Sequence, residues 1–300
     1  MNWFALSIVN VVCIAGLRLL QKAFVDKYPR LNSFRINWIT FAVSLPVVLV
    51  IVGQHLHTEA HLSAAFWLTL SFVVVGFYPI VNYLLFEVIR REELSNVLPL
   101  LGLVPVLTAI SGWLFLGQSA TLLALIGIAC ISLSIYCLQF KKDDHWTEPF
   151  RALSHSFSAR AMTIISIITA LAAIGDKYAI EKSSTQIYFA LNTIGAIVIL
   201  FLCDGVLHMR QNKSFFGQLK NIPPGETRAL FILGIVLLAC QVSGFMAVNS
   251  APNTSYTIAI RNLNIVLASL TALVIYKEST TQYKLLSYGL SAAGVVMIAL

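Results

Sequence analysis

Residues 229–248 read ALFILGIVLLACQVSGFMAV, a run of twenty amino acids without a charged side chain. A helix of about 20 mainly apolar residues is long enough to cross the hydrocarbon core of a bilayer. With its flanks, this run predicts a membrane span. The same test, applied outward in both directions, predicts ten spans, at 3–22, 33–53, 64–88, 94–116, 120–140, 160–181, 185–208, 228–249, 254–276 and 281–300.

The composition of the whole chain agrees with lipid as its main solvent. Of the 300 residues, 58% are hydrophobic and 11% are charged, whereas a soluble domain carries about 25% charged residues. A soluble globule cannot hide that much apolar surface, because a large share of it faces water. A disordered chain, a secreted disulfide scaffold and a free cytosolic enzyme are therefore excluded. The first span lacks the flanks of a signal peptide, so we expect a retained helix.

Basic residues are distributed unequally between the predicted loops. The loops after odd-numbered spans, with their flanks, hold 17 of the 20 Lys and Arg residues. Because basic loops stay in the cytoplasm, we predict that the odd-numbered loops are cytoplasmic and that both termini lie outside. The expected location is the cell inner (plasma) membrane. The net charge of +7 then reflects these loops, and no nucleic-acid partner is expected.

The two halves of the chain resemble each other. A shift of 155 residues aligns Lys22, Lys27, Phe34, Asn37 and Ile39 with Lys177, Lys182, Phe189, Asn192 and Ile194. A shift of 160 aligns Ser95, Leu103, Val106, Leu107 and Ser119 with Ser255, Leu263, Val266, Leu267 and Ser279. A five-span unit and its copy must cross the bilayer in opposite directions, which is the plan of many secondary transporters.

The predicted fold class is therefore an all-α polytopic membrane protein, with ten transmembrane helices arranged as two inverted five-helix repeats. The first repeat covers 3–140 and the second covers 160–300. The polar segment 141–159 is predicted to be a cytoplasmic connector. In this plan the substrate site lies near the bilayer midplane, between the repeats.

Several motifs are similar to those of one transporter family. They are the run LSNVLPLLGLVPVL at 94–107, Gly117-Gln118, Lys277-Glu278-Ser279, Gly127, Gly289 and Arg35. Together they resemble the drug/metabolite transporter superfamily, in its ten-helix EamA-type members. Gln118 stands where the family usually has Glu. The resemblance implies two EamA-like repeats and a secondary transporter, often an exporter of amino acids or other small metabolites.

Charged side chains within a span are costly and mark a cavity or a partner. Arg261 lies seven residues into the ninth span, about 10 Å deep at 1.5 Å per residue. Asp176 lies about as deep on the sixth span. We predict that the two side chains pair in the outer half, either as coupling groups or as a packing ion pair. Glu87, which ends the third span, is either a proton carrier or an interfacial residue.

Uncharged polar residues at depth form a second candidate set. With Arg261, the predicted cavity residues are Asn82, Asn96, Pro99, Gln241, Tyr256 and Asn262. Amides at depth either bind a substrate or join helices by hydrogen bonds. Pro99, with Pro105, either bends a cavity-lining helix or makes a packing kink. Arg18, at the inner end of the first span, is interpreted as an anchor that reaches the head groups.

No metal or other cofactor is predicted. His55, His57 and His61 crowd one outer loop, but their spacing matches no closed zinc motif. The sequence holds no zinc-protease motif and no P-loop, so an enzyme is not expected. The expected partners are a small-molecule substrate and the lipid bilayer, and both a monomer and an oligomer are compatible with the sequence.

The predicted function is export of a small metabolite, such as an amino acid, by alternating access. An embedded arginine with amides suits a carboxylate-bearing metabolite. The alternatives are an exporter of multiple drugs or cationic compounds, a channel, and an intramembrane enzyme.

Overall fold

The computed structural model describes residues 2–28, 32–55, 62–91, 101–138, 156–210, 223–276 and 282–300. Every regular element in these ranges is a helix, and they contain no strand. The helices are α1 Trp3–Lys27, α2 Ser33–Ala42, α3 Leu45–His55, α4 Ala64–Ser71, α5 Tyr78–Arg91, α6 Leu103–Leu116, α7 Leu122–Cys137, α8 Phe157–Glu181, α9 Thr185–Arg210, α10 Pro224–Ser250, α11 Thr254–Arg261, α12 Leu263–Tyr276 and α13 Gln282–Ala299. A π-helical segment, Phe72–Phe77, joins α4 to α5.

The helices support a multi-pass membrane protein. Five described stretches are long and apolar enough to cross a membrane, namely Trp3–Lys27, Ala64–Ile89, Phe157–Glu181, Thr185–Arg210 and Pro224–Ser250. The bent pair of α2 and α3, with 49° between its parts, makes a sixth if it is one span. The apolar helices α6 and α7 are shorter. Each of the ten predicted spans overlaps a helix or a pair of consecutive helices, and the count of ten crossings stays a prediction.

Large apolar side chains cover much of the outer surface of the bundle. Trp113, Phe115 and Leu122 are 64%, 68% and 75% exposed. Exposed apolar surface on this scale marks an interaction surface. For a bundle of this composition, the partner of that surface is lipid.

Polar side chains fix the beginnings of several helices. Asn32 accepts a hydrogen bond from the backbone N–H of Arg35 at 2.7 Å, and Thr121 accepts one from Ala124 at 3.2 Å. These caps satisfy N–H groups that have no partner inside the helix. Gly117, with φ of 64°, ends α6 in the left-handed conformation that glycine adopts without strain.

Two lysines bind the ends of neighbouring helices in the same manner. The Lys22 ammonium donates to the Ile89 carbonyl at 3.2 Å and pairs with Asp26 at 3.1 Å. The Lys177 ammonium donates to the carbonyls of Val248 and Asn249, both at 3.2 Å. In each case a lysine near the end of one long helix satisfies carbonyl groups at the end of another.

The first helices of the two halves approach α10 from opposite ends. In α1, the Asn10 amide donates to the Cys240 carbonyl at 2.7 Å. Just beyond α1, the Tyr28 hydroxyl would lie 3.3 Å from a Cβ placed at Gly225, where α10 begins. The end of α8 instead contacts the end of α10, through Lys177. The C-terminal ends of α1 and α8 therefore lie at opposite ends of α10.

Helices α7 and α13 make the closest backbone approach among the described glycines. A Cβ at Gly127 would lie 2.8 Å from the carbonyl oxygen of Gly294, and a Cβ at Gly294 would lie 2.7 Å from that of Gly127. Two turns away, the hydroxyls of Ser134 and Ser287 are 3.4 Å apart. Small residues let two membrane helices pack with their backbones in contact.

Replacement of Gly294 by alanine is expected to destabilise this crossing by about 1–3 kcal/mol, because the added methyl group must displace backbone. Thermal unfolding of the purified variant in detergent measures the effect. The matched control is Gly289→Ala on the same helix, where a Cβ meets nothing within 4 Å. Equal stability of the two variants would contradict the packing described here.

Candidate functional site

A central cavity of about 190 Å³ lies between α1, α2, α5, α8, α10 and α11. Within the described ranges, neither α7 nor α13 contributes to its wall. The apolar lining includes Phe41, Phe77 and Leu85. The polar lining residues are Arg18, Gln21, Asn37, Tyr78, Asn82, Thr169, Asp176, Gln241 and Arg261.

Among the residues that the structure describes, the charged side chains of the cavity wall are two arginines and one aspartate. The Arg18 guanidinium donates to the Gln21 amide oxygen at 3.1 Å. For the Arg261 guanidinium, no hydrogen bond or ion pair is found to any residue that the structure describes. Arg261 is the last residue of α11, and the helix is interrupted at Asn262 before α12 begins. The wall therefore offers an excess of positive charge to a ligand.

The Asp176 carboxylate is hydrogen-bonded to a tyrosine, which in turn packs against a phenylalanine. The carboxylate accepts a hydrogen bond from the Tyr188 hydroxyl. The Tyr188 ring packs edge-on against Phe245, with 5.2 Å between ring centroids. The predicted ion pair of Asp176 with Arg261 is absent: both residues line the same cavity, but no contact within 4.0 Å joins their charges, because the carboxylate faces Tyr188.

The amides of the wall differ in how far they are satisfied. The Asn192 amide, behind the wall, donates to the Tyr78 hydroxyl at 2.8 Å, and Asn82 donates to the Tyr78 carbonyl at 2.8 Å. The amide nitrogen and oxygen of Gln241 are buried and lack a hydrogen-bond partner of good geometry among the described residues. The Gln241 amide also interacts with the Tyr78 hydroxyl, so it is a weakly satisfied buried group of the wall.

A model of the EamA-like transporter family matches residues 1–140 and 158–300. The chain belongs to this family. The family description indicates a membrane transporter of the drug/metabolite type. A solved structure, described only as the crystal structure of a protein, has a TM-score of 0.69 and 12% identity, covering 98% of this chain and 95% of its own. That likeness concerns the fold alone. No curated protein sequence matches the chain.

The structure of this EamA-like chain places four predicted site residues together in the cavity wall: Asn82, Asp176, Gln241 and Arg261. Glu87, on α5, is not among the residues of that wall. Asn96 and Pro99 lie outside the described residues, as do His57 and His61. Within the described ranges, no group of three or more His, Cys, Asp or Glu residues could hold a metal ion.

Two predicted cavity residues instead join helices. The Tyr256 hydroxyl accepts a hydrogen bond from the backbone N–H of Thr121 at 3.2 Å, and its ring lies beside Trp3 in an apolar cluster. The Asn262 amide donates to the Leu101 carbonyl at 2.9 Å. That hydrogen bond joins the interruption between α11 and α12 to the residues just before α6. Both residues are buried in contacts between helices, and neither is among the described residues of the cavity wall.

Arg18 is a cavity residue that the sequence interpretation missed. It was expected to anchor α1 at the head groups, because a long side chain near a span end can reach the surface. The helix continues past the predicted span end at residue 22 to Lys27, so Arg18 lies well inside α1 and not at its end. Arg18 faces inward and lies near Arg261 and Cys240.

A second buried charge group joins α2 to α9. The Asp204 carboxylate accepts hydrogen bonds from Arg35 Nε at 3.0 Å, Trp38 Nε1 at 3.0 Å and Asn32 Nδ2 at 2.6 Å. His208 Nδ1 lies 3.1 Å from the same carboxylate. The side chains of Arg35 and Asp204 are 1% and 0% exposed. Both charges lie inside predicted spans, so the embedded-charge criterion applied to Asp176 would have found them.

Removal of the Asp204 carboxylate is expected to cost about 3–5 kcal/mol of folding stability, because it leaves the Arg35 charge buried without this partner. Unfolding of an Asp204→Ala variant by titration with SDS in mixed micelles measures the loss. Glu181→Ala is the control, since Glu181 is 48% exposed and pairs with Lys177 at 3.4 Å; it should cost about 1 kcal/mol or less. A loss of the same size in both variants would contradict a structural role for Asp204.

Proposed function

We propose that the protein is a secondary transporter that exports a small carboxylate-bearing metabolite, with amino acids as the favoured class. The observation that carries the proposal is the wall of the central cavity, where two arginines face one aspartate. Guanidinium groups bind carboxylates through short, charge-assisted hydrogen bonds, often two at a time. The Arg261 guanidinium, for which the described residues supply no hydrogen bond or ion pair, is the group that a substrate carboxylate would meet.

The remaining wall suits the rest of an amino acid. Asp176 offers a carboxylate for a substrate amine, and Gln241 offers both a donor and an acceptor. Phe77 and Leu85 supply an apolar surface for a side chain. A volume of about 190 Å³ is below the roughly 300 Å³ at which pockets for drug-sized ligands begin.

The alternative of a cationic multidrug exporter fits this wall less well. A permanent cation would approach Arg18 and Arg261 together, and like charges repel strongly where water is scarce. Among the described wall residues, Asp176 is the single acidic side chain beside these two arginines, and a permanent cation carries no carboxylate with which to pair them. The family description names no substrate, so the charge of the cavity wall is the feature that favours a carboxylate.

The proposed mechanism is alternating access by two inverted five-helix repeats. Lys22 and Lys177, aligned by the 155-residue shift, make equivalent contacts with the ends of α5 and α10. The contact of Gly127 with Gly294 maps under the 160-residue shift onto that of Ser287 with Ser134. The opposite approach of α1 and α8 to α10 supports inversion. Repeats of this kind rock around a central site.

For the orientation we propose that the odd-numbered loops are cytoplasmic, in the cell inner (plasma) membrane, since these loops carry most basic residues. The Asp204 group lies at the end of α9 that precedes the seventh loop, and would then lie near the cytoplasm. Labelling of cysteines introduced at both ends of α9 in intact cells tests this placement.

The transport proposal is tested by counterflow. Purified protein is placed in liposomes loaded with one unlabelled amino acid, and uptake of the same ¹³C-labelled amino acid is measured, for each of the common amino acids in turn. Labelled tetraphenylphosphonium tests the cationic alternative. Saturable counterflow of an amino acid supports the proposal, whereas counterflow of the cation alone contradicts it.

Arg261→Ala is expected to lower the initial rate of that counterflow by about 10- to 100-fold, because a charge-assisted hydrogen bond contributes about 1.5–3 kcal/mol. Arg261→Lys should recover only part of the rate, because an ammonium lacks the planar fork. The control is Arg160→Ala, an exposed arginine at the start of α8 that lies outside the cavity wall. An unchanged rate in Arg261→Ala would contradict the assignment of Arg261 as the carboxylate-binding residue.

Asp176→Asn tests the amine half of the site. The amide can still accept from Tyr188, but it no longer attracts a substrate ammonium group. We expect counterflow of the amino acid to fall about 10-fold, while counterflow of the matching 2-oxo acid, which has no amine, is unchanged. Competition of the two unlabelled compounds against the same labelled substrate gives the ratio of their apparent affinities directly. An equal fall for both compounds would show that Asp176 acts on the fold and not on the amine.

A further inference from the structure

A second cavity, of about 420 Å³, lies at the end of the bundle where α8 meets α9. We call it the vestibule. Its wall includes the polar residues Ser183, Gln186 and Asn249 and the apolar residues Phe189, Phe245 and Met246. None of these side chains carries a charge. The hydroxyl and amide groups therefore make a polar but neutral entrance.

Helix α10 forms part of both the vestibule and the central cavity. Gln241 and Val248 line the central cavity only, and Met246 and Asn249 line the vestibule only. Phe245 is in the wall of both. A solute that moves between the two spaces along this helix must pass the Phe245 ring.

The position of the Phe245 ring depends on the substrate site. Its edge packs against Tyr188, at 5.2 Å between centroids, and the Tyr188 hydroxyl donates to Asp176. A substrate amine that binds Asp176 competes for the oxygen that Tyr188 occupies. Loss of that hydrogen bond frees the Tyr188 ring, and with it the surface on which Phe245 rests.

We propose that Phe245 is an aromatic gate between the central cavity and the vestibule, and that the vestibule is the route of the substrate to that side of the membrane. The gate opens when Tyr188 leaves Asp176. The biological role of this gate rests on the proposed transport function. The position of Phe245 in the walls of both cavities does not depend on which substrate is transported. The gate adds Phe245 and Tyr188 to the residues that control passage.

The native thiol of Cys240 is a reporter for the gate, because Cys240 lines the central cavity. A variant that keeps Cys240, with Cys13, Cys130, Cys137 and Cys203 replaced by alanine, has a single cysteine. The variant is placed in membrane vesicles of known orientation, right-side-out and inside-out. The rate at which a membrane-impermeant, negatively charged methanethiosulfonate reagent modifies Cys240 is then measured in each preparation.

Phe245→Ala is expected to raise the rate of Cys240 modification at least 10-fold from the vestibule side only. Phe245→Leu should give a smaller increase, and supplies a second variant with less change in packing. The matched control is Phe231→Ala on the same helix, where the ring is 56% exposed and lines neither cavity. It should leave the rate unchanged.

The route is tested by narrowing the vestibule. Met246→Trp, added to Phe245→Ala, is expected to lower the rate of Cys240 modification at least 3-fold relative to Phe245→Ala alone. The reason is that Met246 lines the vestibule and not the central cavity. A Phe245→Ala rate equal to that of the parent, or an equal increase from both faces, would overturn the gate. Because no transported substrate is used, failure of this test is distinct from failure of counterflow.

Discussion

Lipid offers no hydrogen bonds, and the ends of membrane helices must therefore find partners within the protein. The structure meets this constraint with side chains from neighbouring helices. Lys22 and Lys177 bind the terminal carbonyls of α5 and α10, and Asn262 binds the carbonyl of Leu101 where the chain breaks. Because Arg261 immediately precedes that break, the bond of Asn262 also sets the position of the guanidinium in the cavity.

The pair of α2 and α9 has chemically different ends. Under the 155-residue shift, Arg35 corresponds to Ala190 and Asp204 to Leu49. One end of the pair is thus held by a buried charge group, and at the other end Val48, Phe189 and Ala190 form an apolar cluster. That apolar end adjoins the vestibule through Phe189.

The sequence predicts the helices well because each span is a long apolar run, and the length of such a run is set by the bilayer. It predicts Asp176 and Arg261 as cavity residues because charge at depth is costly. It does not predict which way a polar side chain faces, because α-helices that are apolar on every side lack the periodic pattern that marks an inner face. Tyr256, whose ring packs beside Trp3, and Arg18, which lines the cavity, are two such residues.

The π-helical segment Phe72–Phe77 sets the angular position of the residues that follow it. Val73 and Val74 of this wide turn pack where α8 and α9 carry Gly175 and Gly195, at which added Cβ atoms would lie 3.2 and 2.9 Å from the valine methyls. Each residue of an α-helix advances the chain by about 100°. A π-helix is wider than an α-helix, so each of its residues turns the chain by less than that angle. Conversion of 72–77 to regular α-helix with no deletion would therefore rotate Tyr78 and Asn82 away from the cavity. The wider winding of these six residues therefore determines which face of α5 is turned toward the ligand.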